Sequence, residues 1–200
     1  MNTNWVALFC LILLLSSCAK ETPLPIPQAT VQWADSASAS SSYGGKFGEN
    51  RDDNSPFAAT GEPDVSECGD NPRAWAQKEE DDGEQWIELT YYDEVFVSKI
   101  KIYETSGVGA IRKIELKNPE TKNYFTFWEG AYKTKLCPYV LDKSYSVKEN
   151  NITINMTPVK TDTIRITLDT DTPGWNEIDA VELIGYSQRW WVYNNTLWTG

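Results

Sequence analysis

The side chains able to do chemistry in this chain are carboxylates, aromatic rings and cysteines, because its 200 residues include no histidine. Without imidazole there is no Ser-His-Asp or Cys-His nucleophilic pair and no His-ligated metal. A glycosidase needs two carboxylates set ~5–9.5 Å apart across a sugar bond. The acidic runs Asp52-Asp53 and Glu79-Glu80-Asp81-Asp82 are adjacent residues, which read as solvated loop charge. No Gly-rich phosphate loop, GxSxG elbow or HExxH pair is present, so the chain is expected to bind rather than to catalyse. With 29 Asp and Glu against 18 Lys and Arg, the net charge is −11. Such a surface repels phosphate backbones, and no nucleic-acid partner is expected. Nine tryptophans and ten tyrosines supply the rings found in β-rich domains and on sugar-binding surfaces.

The cysteines divide by position. Trp5 to Leu15 (WVALFCLILLL) is the one long apolar run, too short for a membrane-spanning helix of ~20 residues but suited to a signal-peptide core. Leu15-Ser16-Ser17-Cys18 after it resembles the bacterial lipobox, whose cysteine is lipidated and becomes the mature N-terminus. Met1 to Asn4 lack the usual basic residues. Residues 1–17 are thus read as a lipoprotein signal peptide, and a signal peptide cut elsewhere is the other reading. Several acyl chains on Cys18, at ~0.8 kcal/mol per buried methylene, would anchor the protein permanently. Ala19 after the cysteine favours the outer membrane of a bacterial envelope, by resemblance to the sorting rules of diderm bacteria. Prolines 23, 25 and 27 favour an extended spacer, so residues 18–30 form a tether. Cys10 leaves with the signal and Cys18 takes lipid. Cys68 and Cys137 remain in a compartment where disulfides persist, and a bridge closing about 70 residues would stabilise by roughly 4 kcal/mol. A free thiol is the alternative, with no histidine to activate it.

The elements that must position these groups read as strands. Trp86 to Tyr92 (WIELTYY) puts Ile87, Leu89 and Tyr91 on one face, a period of two. In Val95 to Tyr103, Val95 and Val97 keep one phase and Ile100 and Ile102 the other, which predicts a bulge between Val97 and Ile100. Ile111–Leu116, Tyr124–Trp128, Ile152–Met156, Ile164–Leu168 and Ile178–Ile184 continue the set, punctuated by Gly107-Val108-Gly109, Asn118-Pro119, Pro158 and Pro173-Gly174. No stretch shows helical periodicity over three turns. The fold class is all-β, an antiparallel β-sandwich or jelly roll. Residues 35–70 show little periodicity, and the tail 188–200 (QRWWVYNNTLWTG) carries three tryptophans without a regular period.

Several short motifs add to this pattern: Val31-Gln32-Trp33-Ala34-Asp35, Ser41-Ser42-Tyr43, Ala59-Thr60-Gly61-Glu62-Pro63-Asp64-Val65, Cys68-Gly69-Asp70, Ala74-Trp75 and Trp175-Asn176-Glu177-Ile178-Asp179-Ala180-Val181-Glu182-Leu183-Ile184-Gly185. Together they resemble the galactose-binding-like, discoidin-type β-sandwich, and within it the scarf-type domain of pappalysins, also found beside OmpA-like modules of bacterial envelope proteins. The resemblance spans residues 31–186 and leaves a Trp-rich tail, 187–200. It implies a structural Ca²⁺ site wrapped by Ala59 to Val65, a cation that takes carboxylate and carbonyl oxygens. Asp64 and Asp179 match the recurrent acidic positions, with Glu182 a weaker match. The alternatives are a Pro-Asp turn for Asp64 and a buried hydrogen bond to loop amides for Asp179. Ligand binding by loops at one end is also implied. Trp75, Trp128, Tyr132 and Trp175 are the candidates, since aromatic faces stack on sugar C–H groups. For each of them, packing is the competing role.

These readings converge on a lipid-anchored envelope protein whose sandwich binds a glycan or surface ligand, with Ca²⁺ as a candidate cofactor. The competing expectation is an accessory lipoprotein that docks on a larger envelope complex through Trp190 to Trp198 and has no sugar site. If Cys18 carries lipid, Cys18→Ala moves the protein from the membrane to the soluble fraction on cell fractionation; continued membrane association would remove the anchor.

Overall fold

A computed structural model describes residues 27–44, 53–150, 152–193 and 196–199. The leader, Cys18 and most of the tether lie outside these residues. The strands are β1 (Thr30–Trp33), β2 (Ser36–Ala39), β3 (Trp75–Ala76), β4 (Glu84–Ser106), β5 (Ile111–Lys117), β6 (Tyr124–Glu129), β7 (Tyr139–Ser144), β8 (Val147–Glu149), β9 (Ile152–Ile154), β10 (Lys160–Asp169), β11 (Glu177–Tyr186), β12 (Trp190–Tyr193) and β13 (Thr196–Thr199). A 3₁₀ turn, Pro56–Ala59, precedes β3. The strand pairs are antiparallel, as expected for a sandwich.

The two predicted segments Trp86–Tyr92 and Val95–Tyr103 are parts of one element. The 23-residue β4 pairs through its first half with β2 and β10, and through its second half with β11 and β7. Between the halves the chain folds over: Thr163 lies opposite Thr90, but Thr161 lies opposite Val95. One layer is therefore β2, first-half β4, β10, β5 and β6, and the other is β1, β3, β11, second-half β4 and β7. The predicted bulge is present. Ile184 faces Lys99 while Gly185 faces Val97, so Ser98 is the extra residue, and its hydroxyl donates to the Ile184 carbonyl at 3.1 Å. The bulge resets the two-residue phase, so Val95, Val97, Ile100 and Ile102 are all buried. Gly185 sits at this crossing because a Cβ there would stand 2.6 Å from the Phe96 carbonyl oxygen.

Between the layers lie Ile87, Leu89, Ile100, Ile102, Ile114, Leu116, Ile164, Ile166, Val181 and Leu183, none of them exposed to solvent. Burying one such aliphatic side chain contributes ~1.5–3 kcal/mol. Several elements, β1 and β8 among them, go beyond the strands read from the sequence. Tyr139–Ser144 is a strand on β4, residues 36–39 form β2 within the weakly periodic stretch, and the tail folds into a β12–β13 hairpin.

Strand directions define two poles. β1 enters beside Gly185 at the pole that holds the β4 fold-over and the two small hairpins. The opposite pole gathers the loops that follow β3, β4, β6 and β10. Cys68 and Cys137 are bonded there, with Cα atoms 5.2 Å apart, as expected from the sequence. The bridge joins the loop before β3 to the loop before β7. Replacing both cysteines by serine is expected to lower stability by ~3–4 kcal/mol, measured by denaturant unfolding, with the midpoint of the oxidised wild type shifting the same way on reduction.

Candidate functional site

Buried polar side chains tie the loop pole together. Asn54, at a φ of 56° that asparagine tolerates, donates through Nδ2 to the carbonyls of Asn71 and Ala74, both at 2.9 Å. Ser42 donates to the Asn54 carbonyl at 2.8 Å, and Gly69 N–H to Thr105 at 2.9 Å. Asn176 donates to the Gly107 carbonyl at 2.8 Å and exchanges hydrogen bonds with Gln77. Gly107 must be glycine: its φ is +53°, and a Cβ would lie 2.4 Å from the Trp175 carbonyl oxygen.

These ties hold open a cleft of about 250 Å³ lined by Tyr43, Asn54, Asp70, Pro72, Ala76 and Trp175. Tyr43 is 65% exposed and meets Trp175 edge to face, ring centroids 5.3 Å apart. Behind the cleft lies Glu177, nearly fully buried, whose carboxyl accepts from the Thr105 hydroxyl at 3.0 Å and the Asn71 amide at 3.2 Å. Burial raises its pKa to about 8, aided by a hydrogen bond to the Asp70 carboxyl and by that group's charge. Glu177 thus holds its proton more tightly than an ordinary carboxyl, beside Asp70, which lines the cleft.

Two more carboxyls are buried at the same pole. Burial raises Glu104 to about 7, against the hydrogen bonds that Tyr132 and Gly109 donate to it. Burial likewise raises Asp179 to about 6, against two backbone donors. Those donors are the Asp64 and Val65 amides, at 3.4 and 3.2 Å.

The sequence candidates separate on this geometry. Asp64 and Asp179 do come together, Asp179 in the amide-capping role that was its alternative, and the Asp64 carboxylate faces Arg73 at 3.8 Å. Glu182 is elsewhere, paired with Lys101 at 2.7 Å. Of the four rings, only Trp175 lines the cleft. Trp75 requires correction: it is fully buried, its indole N–H donates to the Ser41 carbonyl at 3.2 Å, and no ligand can reach its face. The Trp128 face is occupied by the Lys143 ammonium, 4.4 Å from the ring centroid. Tyr132 stacks on Tyr139 and donates a hydrogen bond from its hydroxyl to Glu104.

With this architecture in view, residues 26–194 match the family model described as Pappalysin-1, SD scarf domain, C-terminal. The chain belongs to this family. Solved structures similar to this scarf domain include the family 32 CBM from C. perfringens NanJ in complex with galactose, at 17% identity, covering 78% of this chain and 99% of that one, TM-score 0.49. A truncated AlyQ with CBM32 and alginate lyase domains matches at 16% identity over 80% of this chain and 34% of that one, TM-score 0.49. A pectin binding carbohydrate binding module matches at 20% identity over 79% of this chain and 91% of that one, TM-score 0.43. Mitochondrial import inner membrane translocase subunit TIM54 of Yarrowia lipolytica is 36% identical over 59 residues, 28% of this chain and 10% of that protein. The matched stretch spans about a tenth of that relative's length.

Sequence reasoning passed over Tyr43, Asp70 and Glu177 as site residues. All three lie in motifs that carried the family resemblance, and that shared placement is the signal that could have found them. A carboxyl whose pKa is higher folded than unfolded binds its proton more tightly in the folded state. Stability therefore falls as pH rises, here from the ordinary 4.5 of Glu177 through its folded value of about 8. Glu104 and Asp179 act in the same direction over narrower windows. Melting temperature is expected to fall between pH 5 and pH 8 (both about). Glu177→Gln, which mimics the protonated acid, should flatten the profile and be more stable than wild type at the alkaline end.

Proposed function

We propose that this scarf domain is a non-catalytic, glycan-binding module held to a bacterial outer membrane by lipid on Cys18. The observation that carries the binding reading is the exposed Tyr43–Trp175 corner over a cleft that also presents Asp70. A sugar ring offers C–H groups to an aromatic face and hydroxyls to a carboxylate, and this corner supplies both. The loops around it are tied by buried hydrogen bonds, so little ordering cost remains for a ligand to meet. The Asp70 and Glu177 carboxyls are hydrogen-bonded to each other, closer than the ~5 Å or more that two glycosidase carboxylates need. That favours binding over hydrolysis.

The test is a glycan and peptidoglycan array probed with the purified chain. A specific hit is expected, weakened at least tenfold, about 1.4 kcal/mol, by Trp175→Ala and by Tyr43→Ala. A hit indifferent to both substitutions overturns the reading. A blank array overturns it too, and favours docking on an envelope partner through the hairpin that exposes Trp198. Repeating the array with excess calcium and with chelator reads the calcium dependence. We propose equal signals, because Arg73 stands at Asp64 and both Asp179 oxygens already accept amides.

A further inference from the structure

The turn from β10 to β11 is a ridge with a cavity on each side. Trp175 lines the first cavity. Asp171, Thr172 and Pro173 line a second, of about 400 Å³, faced across the gap by Lys133 and Thr134 of the β6–β7 loop. Pro173 and Trp175 are two residues apart, so these walls are separated by at most ~7 Å of chain, the scale of a sugar residue. The ridge is held from below. Asn176 Nδ2 donates to the carbonyls of Thr172 at 3.3 Å and Gly107 at 2.8 Å. Arg112 Nη2 reaches Asp169 Oδ2 at 3.3 Å and Thr172 Oγ1 at 3.4 Å.

The chemistry of the second cavity suits a hydroxyl-rich, uncharged ligand. Lys133 is exposed and has no carboxylate partner among the described residues, leaving three N–H donors free. The exposed Asp171 carboxylate accepts, and the Thr134 hydroxyl does both. Sugar hydroxyls need such mixed partners, since each donates and accepts. The charges around the cavity balance: Arg112 is paired with Asp169, and Lys133 and Asp171 both line the cavity. An acidic ligand gains no net attraction from that balance.

We infer that the binding site continues across the ridge and takes an uncharged oligosaccharide, with one unit against Tyr43 and Trp175 and the next among Lys133, Thr134 and Asp171. The inference rests on the glycan reading above and adds ligand length and charge to it. It is tested by calorimetric titration of the full chain with uncharged galactan, cellulose, chitin and mannan oligosaccharides of one to four units. In a series that binds, affinity is expected to rise at least tenfold from one unit to three. Lys133→Ala and Asp171→Ala should each cost more affinity the longer the ligand, whereas Trp175→Ala weakens every length. Trp175-dependent binding without a gain in length, or with a gain that survives both second-cavity substitutions, overturns the inference and leaves the glycan reading standing. Absence of binding by every series overturns both.

Discussion

Strand β4 belongs to both layers, hydrogen-bonded to β2 and β10 in one and to β11 and β7 in the other. The rest of the molecule depends on that continuity. Two layers that share a strand cannot slide past each other, so the loops at their common end are placed by the same backbone. Beyond the fold-over the shared strand also changes phase, because Val97 and Ile100 both face inward although they stand an odd number of residues apart. Ser98 supplies the extra residue and Gly185 lets the neighbouring strand approach. Hydrophobic burial on either side then stabilises a geometry already set by pairing.

At the loop pole the forces are of a different kind. Asn54, Gln77, Asn176, Glu104, Glu177 and Asp179 are buried polar residues, and interiors hold such groups only when they are hydrogen-bonded or uncharged. Both remedies occur here. The amides bridge loops that have no regular pairing of their own, and burial raises the affinity of the carboxyls for their protons while donors satisfy their oxygens. Networks of this sort add less to stability than an apolar core would, but they define one arrangement of the chain. The consequence for a binding surface is rigidity where sequence alone would suggest freely moving loops.

Much of this was legible in the amino-acid sequence, for identifiable reasons. Alternation in WIELTYY and the phase change between Val97 and Ile100 are local signals, and both strand and bulge followed from them. The Cys68–Cys137 pairing followed from having two cysteines left after the leader. The strand at Tyr139–Ser144 gave little signal, because its exposed and half-buried residues hold only Leu141 in the core. The Pro-Gly turn before Trp175 suggested an accessible ring, and Trp175 does line the cleft. Trp75 takes the packing role that competed with ligand binding, since an aromatic ring in a motif says nothing about which face the fold will cover. Tyr43, Asp70 and Glu177 lie far apart in sequence and meet only through tertiary structure, and no spacing rule anticipates two distant carboxyls coming together.

The chain enters the domain at Thr30, opposite Gly185, while the cleft lies beyond Glu177 at the other end of the same strand. At ~3.3 Å per residue, those two points are roughly 30 Å apart. Whatever holds the N-terminal segment, the aromatic corner points away from it. The C-terminal hairpin sits at the near end, beside the point of entry. The domain is thus polarised: its outward tip and its base can be occupied at once, and a neighbour gripping the base would leave the tip unobstructed.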